Sequence, residues 1–324
     1  MNILFAGTPA IAVPSLEAIA ALADEGDFCR LAGVLTNPDA ARGRHGCAVP
    51  SDVGMAASRI AGWLPPFAVI KSDSFDEDCL RGARDCGAGL LVTFAYGVVF
   101  PPEFLALFPM GGINIHPSLL PKYRGATPIP AAIMNRDSET GITIQRLAPE
   151  LDSGSILLQE TIPLNGKETC ASLSAVVAER GAALLVRTLR ALAENDAVAE
   201  TPQNHALATF CDKLERKDGL IDWRFGASAI DARIRAFTPW PLSYTRHGEA
   251  ELYILEAAPY NGPVGAGGTA DAGEVLGFDR NAGIVIQTGD GLLAASRLQY
   301  RTRKVLDWRS FLNGARNFIG AVLR

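Results

Sequence analysis

The segment Gly112-Ile113-Asn114-Ile115-His116-Pro117 constrains the fold more than any other stretch of this chain. Ile113 and Ile115 alternate with Asn114 and His116, so the period of a strand sets the apolar pair on one face and the amide and imidazole together on the other. Pro117 offers no backbone N–H to a neighbouring strand, and the strand ends there. It therefore delivers two polar side chains to its carboxyl end, where open α/β sheets bind ligands. The loop beyond adds Ser118, Leu119, Leu120, Pro121 and the basic-aromatic cluster Lys122-Tyr123-Arg124. A lone histidine on such a strand is most simply a satisfied core residue; Asn-x-His running into this loop points to a site.

The flanking segments supply the sheet. Residues 2–6, 31–36 and 89–94 are strongly apolar runs of strand length, and helical periodicity is read from Pro14 to before Gly26, over 51–61 and from Ser72 to about Asp85. Strands alternating with helices predict a parallel sheet covered on both faces. The first turn, Gly7-Thr8-Pro9, lacks the G-x-G-x-x-G fingerprint, which argues against a nicotinamide oxidoreductase. Ala95-Tyr96-Gly97, where the 89–94 strand ends, is a candidate lining for a flat heterocycle, whereas Val98 and Val99 read as core.

Strands are expected over 139–147 and 156–161, joined by a polar loop that contains Asp152. An Asp in such a loop often only caps a turn; with Asn114 and His116 it would complete a reactive group of three. A helix near 172–194 closes the unit, and 195–211, without helical periodicity, reads as a linker. Beyond it come Asp222-Trp223, a helix near 227–235, short strands over 243–246, 251–257, 273–277, 283–288 and 291–299, and a last helix from 306 or 307 to about 318. Strands at that spacing predict a small β-barrel. The expected architecture is thus α/β: a Rossmann-like, mostly parallel sheet with helices on both faces (1–194), a linker (195–211) and a C-terminal β-barrel, OB-like domain (212–324).

Composition narrows the function. No apolar run reaches the roughly 18 residues that a membrane-spanning helix needs, and the start of the chain has no charged n-region or cleavage site, so the expected setting is the cytoplasm. Six scattered cysteines without a C-x-x-C pair speak against a disulfide framework or a zinc site. From Asp212 onward 15 basic residues face 13 acidic ones, against 15 and 22 before it. A relatively basic C-terminal third fits an anionic partner, or a mixed solvated surface. The Gly-Arg segment 37–47, with Arg42 and Arg44, reads equally as a loop that closes over phosphates or as a plain connector.

Taken together, Ala6-Gly7-Thr8-Pro9, Thr36-Asn37-Pro38-Asp39, Ala95-Tyr96-Gly97, Asn114 to Gly125, Leu151-Asp152-Ser153-Gly154, Ile221-Asp222-Trp223 and Arg235 to Pro241 resemble the methionyl-tRNA formyltransferases along nearly the whole chain. The Asn-x-His-x-Ser-Leu-Leu-Pro segment with its downstream Asp is shared by the wider group that uses 10-formyltetrahydrofolate. The C-terminal third separates this chain from glycinamide ribonucleotide formyltransferases, which look like the first unit alone. Pro117, and a segment Arg42 to Cys47 poorer in lysine than the corresponding loop of the family, depart from its usual pattern.

The resemblance implies transfer of a formyl group from 10-formyltetrahydrofolate to methionyl initiator tRNA, by a monomer without a metal. It assigns Asn114, His116 and Asp152 to catalysis and Ser118, Leu119, Leu120, Pro121, Ala95, Tyr96 and Gly97 to the folate. It assigns Arg42, Arg44, Arg301, Arg303 and Lys304 to the tRNA. The rival readings are a relative of the same folate group acting on another amine or on water, and a noncatalytic RNA-binding protein.

Overall fold

The computed structural model describes residues 1–26, 28–41, 46–194, 198–263 and 270–324. The chain divides into two units, one of residues 1–128, 139–163 and 174–212, the other of 129–138, 164–173 and 213–324.

Along the first part run β1 (Asn2–Gly7), α1 (Val13–Asp24), β2 (Arg30–Thr36), the short strands β3 (Ala40–Ala41) and β4 (Ala48–Val49), and α2 (Asp52–Ile60). Next come β5 (Ala68–Lys71), α3 (Glu77–Asp85), β6 (Leu90–Phe94), α4 (Pro102–Leu105) and β7 (Gly112–His116). They are followed by β8 (Arg124–Gly125), α5 (Pro128–Met134), β9 (Glu139–Arg146), β10 (Ile156–Pro163), α6 (Cys170–Ala193) and β11 (Phe210–Cys211).

Seven strands form the main sheet in the order β10-β9-β7-β6-β1-β2-β5. β7, β6, β1, β2 and β5 are parallel, and β9 and β10 join antiparallel at one side. From β1 the chain builds outward through β2 and β5, then returns to lay β6 on the other flank. The reversal lies between the carboxyl ends of β1 and β6, the crevice where sheets of this kind hold ligands. Most predicted helices and strands fall close to their expected bounds, while α4 and the two-residue strands β3, β4, β8 and β11 were not expected. β5 was not foreseen: its four residues alternate half-buried and exposed at the sheet edge, too short a pattern to register as a strand. The helix expected from Ser72 begins at Glu77, because the Ser72 side chain folds back on Ser74 while Asp76 accepts from Cys79 N at 2.9 Å as the true N-cap.

The expected linker is no bare connector where it is described. Thr201 exchanges backbone hydrogen bonds with Ile156, and β11 pairs in parallel with β8. The stretch from Thr201 to Asp212 is therefore part of the first unit, held by backbone pairing that no local pattern announces.

In the second unit α7 (Ala227–Ala236) packs with β12 (Ser243–His247), β13 (Ala250–Tyr260), β14 (Val275–Asp279), β15 (Gly283–Gln287), β16 (Leu292–Tyr300), β17 (Leu306–Asp307) and α8 (Trp308–Gly314). The antiparallel order is β12-β13-β16-β15-β14, with β17 on β16. Residues 320–324 join its two edges: Arg324 exchanges hydrogen bonds with Arg246 on β12, while Leu323 donates to Gly273 and Ala321 accepts from Val275 on β14. That bridging satisfies both edges, as a barrel does. Its core holds Trp223, Ile230, Ile254, Ile286, Leu298 and Phe311. The last helix stops at Gly314, four residues short of its expected end.

Candidate active site

β7 ends as its alternation predicts, with Asn114 and His116 on one face. The register makes Asn114 the neighbour of Thr93 on β6 and of Gln145 on β9, and sets His116 beside Thr143. The loop after β9 then brings Asp152 back over this strand end. Asp152 sits at φ +51°, a left-handed conformation that Asp tolerates better than most residues. Gly154 follows because a Cβ there would stand 1.9 Å from the Arg146 carbonyl oxygen.

The three predicted side chains meet. Asn114 Nδ2 donates to Asp152 Oδ1 at 3.3 Å, and His116 Nδ1 lies 3.5 Å from the same oxygen. Asp152 also accepts from Gln145 Nε2 at 2.8 Å on Oδ1 and from the Gly125 N–H at 2.9 Å on Oδ2. Three N–H donors fix the orientation of the carboxylate. The side chains of His116 and Asp152 are only 4% and 8% exposed, so these contacts act with little solvent screening.

His116 Nε2 is 2.8 Å from the Tyr123 carbonyl oxygen, which can only accept. The proton of the neutral ring is therefore on Nε2, and Nδ1 is the nitrogen free to gain or lose one. Burial pushes the imidazole below its ordinary range; Asp152 and the Tyr123 carbonyl oppose that shift, and Arg124 adds to it. A neutral ring beside Asp152 results, placed to take a proton at Nδ1.

The other predicted residues are placed as follows. Ser118 is fully buried, its hydroxyl donating to Lys122 O at 2.5 Å, so it shapes the loop from inside. Thr143 accepts from Leu120 N and donates to Ser118 O, and Gln159 donates to Leu120 O. Leu119 packs on Gly141, where any Cβ would collide with it. Thr209 N donates to Pro121 O. Ala95 and Gly97 are exposed with φ of +51° and +93°, while Tyr96 between them is buried and donates its hydroxyl to Ser72 O at 2.6 Å. They follow Thr93, the register partner of Asn114, and so border the same sheet end. Arg42 and Arg44 lie outside the described residues. Arg301, Arg303 and Lys304 are exposed on the second unit beyond β16, where Arg301 and Arg216 share Glu251. Among the described residues no group of three His, Cys, Asp or Glu could hold a metal ion.

Sequence reasoning missed Gln145 and Gln203, and it placed Tyr123, Arg124 and Gly125 in the loop without giving any of them a separate role. Gln145 had a signal, since Thr143 and Gln145 are polar residues at a spacing of two in an otherwise buried strand. Gln203 had none.

A parallel sheet with this amide, imidazole and carboxylate at its carboxyl end is followed along the chain by an antiparallel β unit. Residues 1–189 match the formyl transferase family and residues 213–316 match the formyl transferase C-terminal domain. Methionyl-tRNA formyltransferase of Treponema denticola is 45% identical over 323 residues, 98% of each chain, and that of Borreliella burgdorferi 36% identical over 329 residues, 99% of this chain and 98% of the other. The chain belongs to the methionyl-tRNA formyltransferase family. Among solved structures, the fold is shared with an N-formyltransferase from Helicobacter canadensis in complex with folinic acid and dTDP-3-aminofucose, at TM-score 0.64 and 20% identity over 92% of this chain and 98% of that one. It is shared too with HypX from Aquifex aeolicus in complex with tetrahydrofolic acid, at TM-score 0.63 and 17% identity over 98% of this chain and 48% of that one.

Proposed function

We propose that this enzyme transfers the formyl group of 10-formyltetrahydrofolate to the α-amino group of methionine carried by initiator tRNA. The observation that carries the reading is the meeting of Asn114, His116 and Asp152 at the end of β7, in a chain that matches methionyl-tRNA formyltransferases from end to end.

The residues divide the chemistry. The amide nitrogen of Asn114 has two N–H groups; one engages Asp152, and the second is available to an oxyanion on the formyl carbon. As the amine nitrogen bonds to that carbon it must lose a proton. His116 Nδ1 accepts it, and Asp152 steadies the imidazolium. The same proton then passes to the departing folate nitrogen as the carbon–nitrogen bond to it breaks. Nothing on the enzyme forms a covalent intermediate. Exposed residues Ala95 and Gly97 suit a flat, hydrogen-bonding heterocycle, and Ser118 to Pro121 are assigned to the folate from the resemblance.

The tRNA is assigned to basic side chains. Arg301 and Arg303 line an open groove of about 470 Å³ together with Glu251, Tyr300 and Thr302, and the exposed Lys304 follows them in the chain. Arg42 and Arg44 are assigned to the same polyanion from the sequence. We read the enzyme as a monomer acting in the cytoplasm, where translation begins; among the described residues no helix is long and apolar enough to cross a membrane.

The test is formylation of charged initiator tRNA by the purified chain, with nucleotide-linked amino sugars and water as competing acceptors. Formyl-methionyl-tRNA is the expected product. Preferential formylation of the sugar, or release of formate alone, overturns the assignment.

A further inference from the structure

Gln203 is buried, lies in the stretch that the sequence presents as a linker, and makes every one of its polar contacts near the reactive carboxylate. Its Oε1 accepts from Arg124 Nη2 at 2.6 Å and from Arg124 Nε at 3.1 Å. Its Nε2 donates to the backbone oxygens of Gly154 at 2.7 Å and Asp152 at 2.9 Å, and faces Gln145 Oε1 at 3.3 Å. A guanidinium can only donate and a carbonyl can only accept, so the carboxamide of Gln203 has one permitted orientation. With Nε2 pointing at it, Gln145 must turn its oxygen toward Gln203 and its own NH₂ toward Asp152, as observed at 2.8 Å.

We propose that Gln203 is a positioning residue for formyl transfer: Arg124 sets its carboxamide, which sets that of Gln145, so that Asp152 meets an N–H donor and not a carbonyl oxygen, while the same side chain holds the Asp152 backbone in place. The proposal rests on the formyl-transfer reading above. Gln203 touches no reacting atom; it acts through Gln145 and through the loop. Arg124 is itself buried and caps the relay, its Nη1 and Nη2 each 3.2 Å from His205 Nδ1. His116 on β7 and Cys211 on β11 are titratable groups set against Asp152, while Arg124 on β8 acts on His116 and contacts His205.

Two substitutions break the relay differently. Gln203→Met removes both donors and acceptor without adding charge. Gln203→Glu keeps the Arg124 contact but turns an acceptor toward the Gly154 and Asp152 carbonyls, and draws the NH₂ of Gln145 away from Asp152. Both leave the Asp152 carboxylate without the donor that Gln145 aims at it.

The experiment is kcat for charged initiator tRNA, with KM for the folate followed in parallel. In Gln203→Met kcat falls at least about tenfold with the folate KM within about twofold; Gln203→Glu lowers kcat further. Gln145→Met, at the far end of the relay, lowers kcat with the same unchanged KM and decides the matter where a Gln203 variant does not fold. An unchanged kcat in the folded variants, or a loss confined to KM, overturns the proposal. The unsubstituted enzyme is assayed first: absence of formylation there defeats the functional reading itself, whereas normal activity with unaffected variants defeats only the relay.

Discussion

The backbone N–H of Gly125 donates to Asp152 Oδ2 at 2.9 Å, and no residue but glycine fits the place it donates from. Gly125 has φ +116°, and a Cβ there would stand 2.3 Å from the Cys211 carbonyl oxygen. β8 and β11 pair at that point, so the close approach of two backbones and the support of the reactive carboxylate are one feature.

Gly125→Ala therefore disturbs both. The backbone has to shift, at a cost of about 2–3 kcal/mol, and Asp152 loses a donor. A urea unfolding curve measures the first, and a fall in kcat of at least about tenfold measures the second. Wild-type turnover in a folded variant would separate the strand pairing from the chemistry.

Asn114→Ala removes the proposed oxyanion donor, and Asp152→Asn removes the charge that stabilises imidazolium. Loss of one preorganised donor costs about 10²- to 10³-fold in rate, and at least tenfold is expected for each variant, with folding retained. Single-turnover formylation, with circular dichroism on the same samples, is the check.

His116 also makes stability depend on pH. Its folded ring binds a proton less readily than the unfolded ring, whose pKa is about 6.5. As pH falls below that value the unfolded chain takes up the proton first, so the wild type loses stability progressively until the lowered folded pKa is reached, and the group contributes no slope above about pH 6.5. His116→Asn abolishes that slope. Urea midpoints of the two proteins, measured from pH 7.5 to 5, should converge as the pH falls; parallel lines would show that Asp152 fully offsets the burial of the ring.

On the second unit Arg303 and Lys304 should matter more than Arg301, because Glu251 already holds the Arg301 guanidinium at 3.4 Å. Arg303→Ala and Lys304→Ala are each expected to raise KM for charged tRNA, lower the salt slope by about one and leave the folate KM unchanged. Equal loss for both substrates would remove these residues from the tRNA surface.

Much of the site was legible in the chain itself. The alternation of Ile113 and Ile115 with Asn114 and His116, ended by Pro117, is a local instruction: strand period and proline chemistry place an amide and an imidazole together without reference to the rest of the fold. Gln145 was half legible, as a polar residue in a buried strand. Its partner could not be read, because the antiparallel register that sets it beside Asn114 is a property of two strands.

The longer strands, most helices and the pair Asn114 and His116 followed from sequence, because period, proline and capping act over a few residues. Tertiary structure alone decided that Asp152 returns to that pair, that the Tyr123 carbonyl meets Nε2 of His116, and that Gln203 packs against the Asp152 loop. It also decided that residues 320–324 join the edges of the β unit. These rest on backbone hydrogen bonds and carboxamide orientations between residues tens of positions apart, and such contacts leave no periodicity in the chain. They exist only once the sheet has its register.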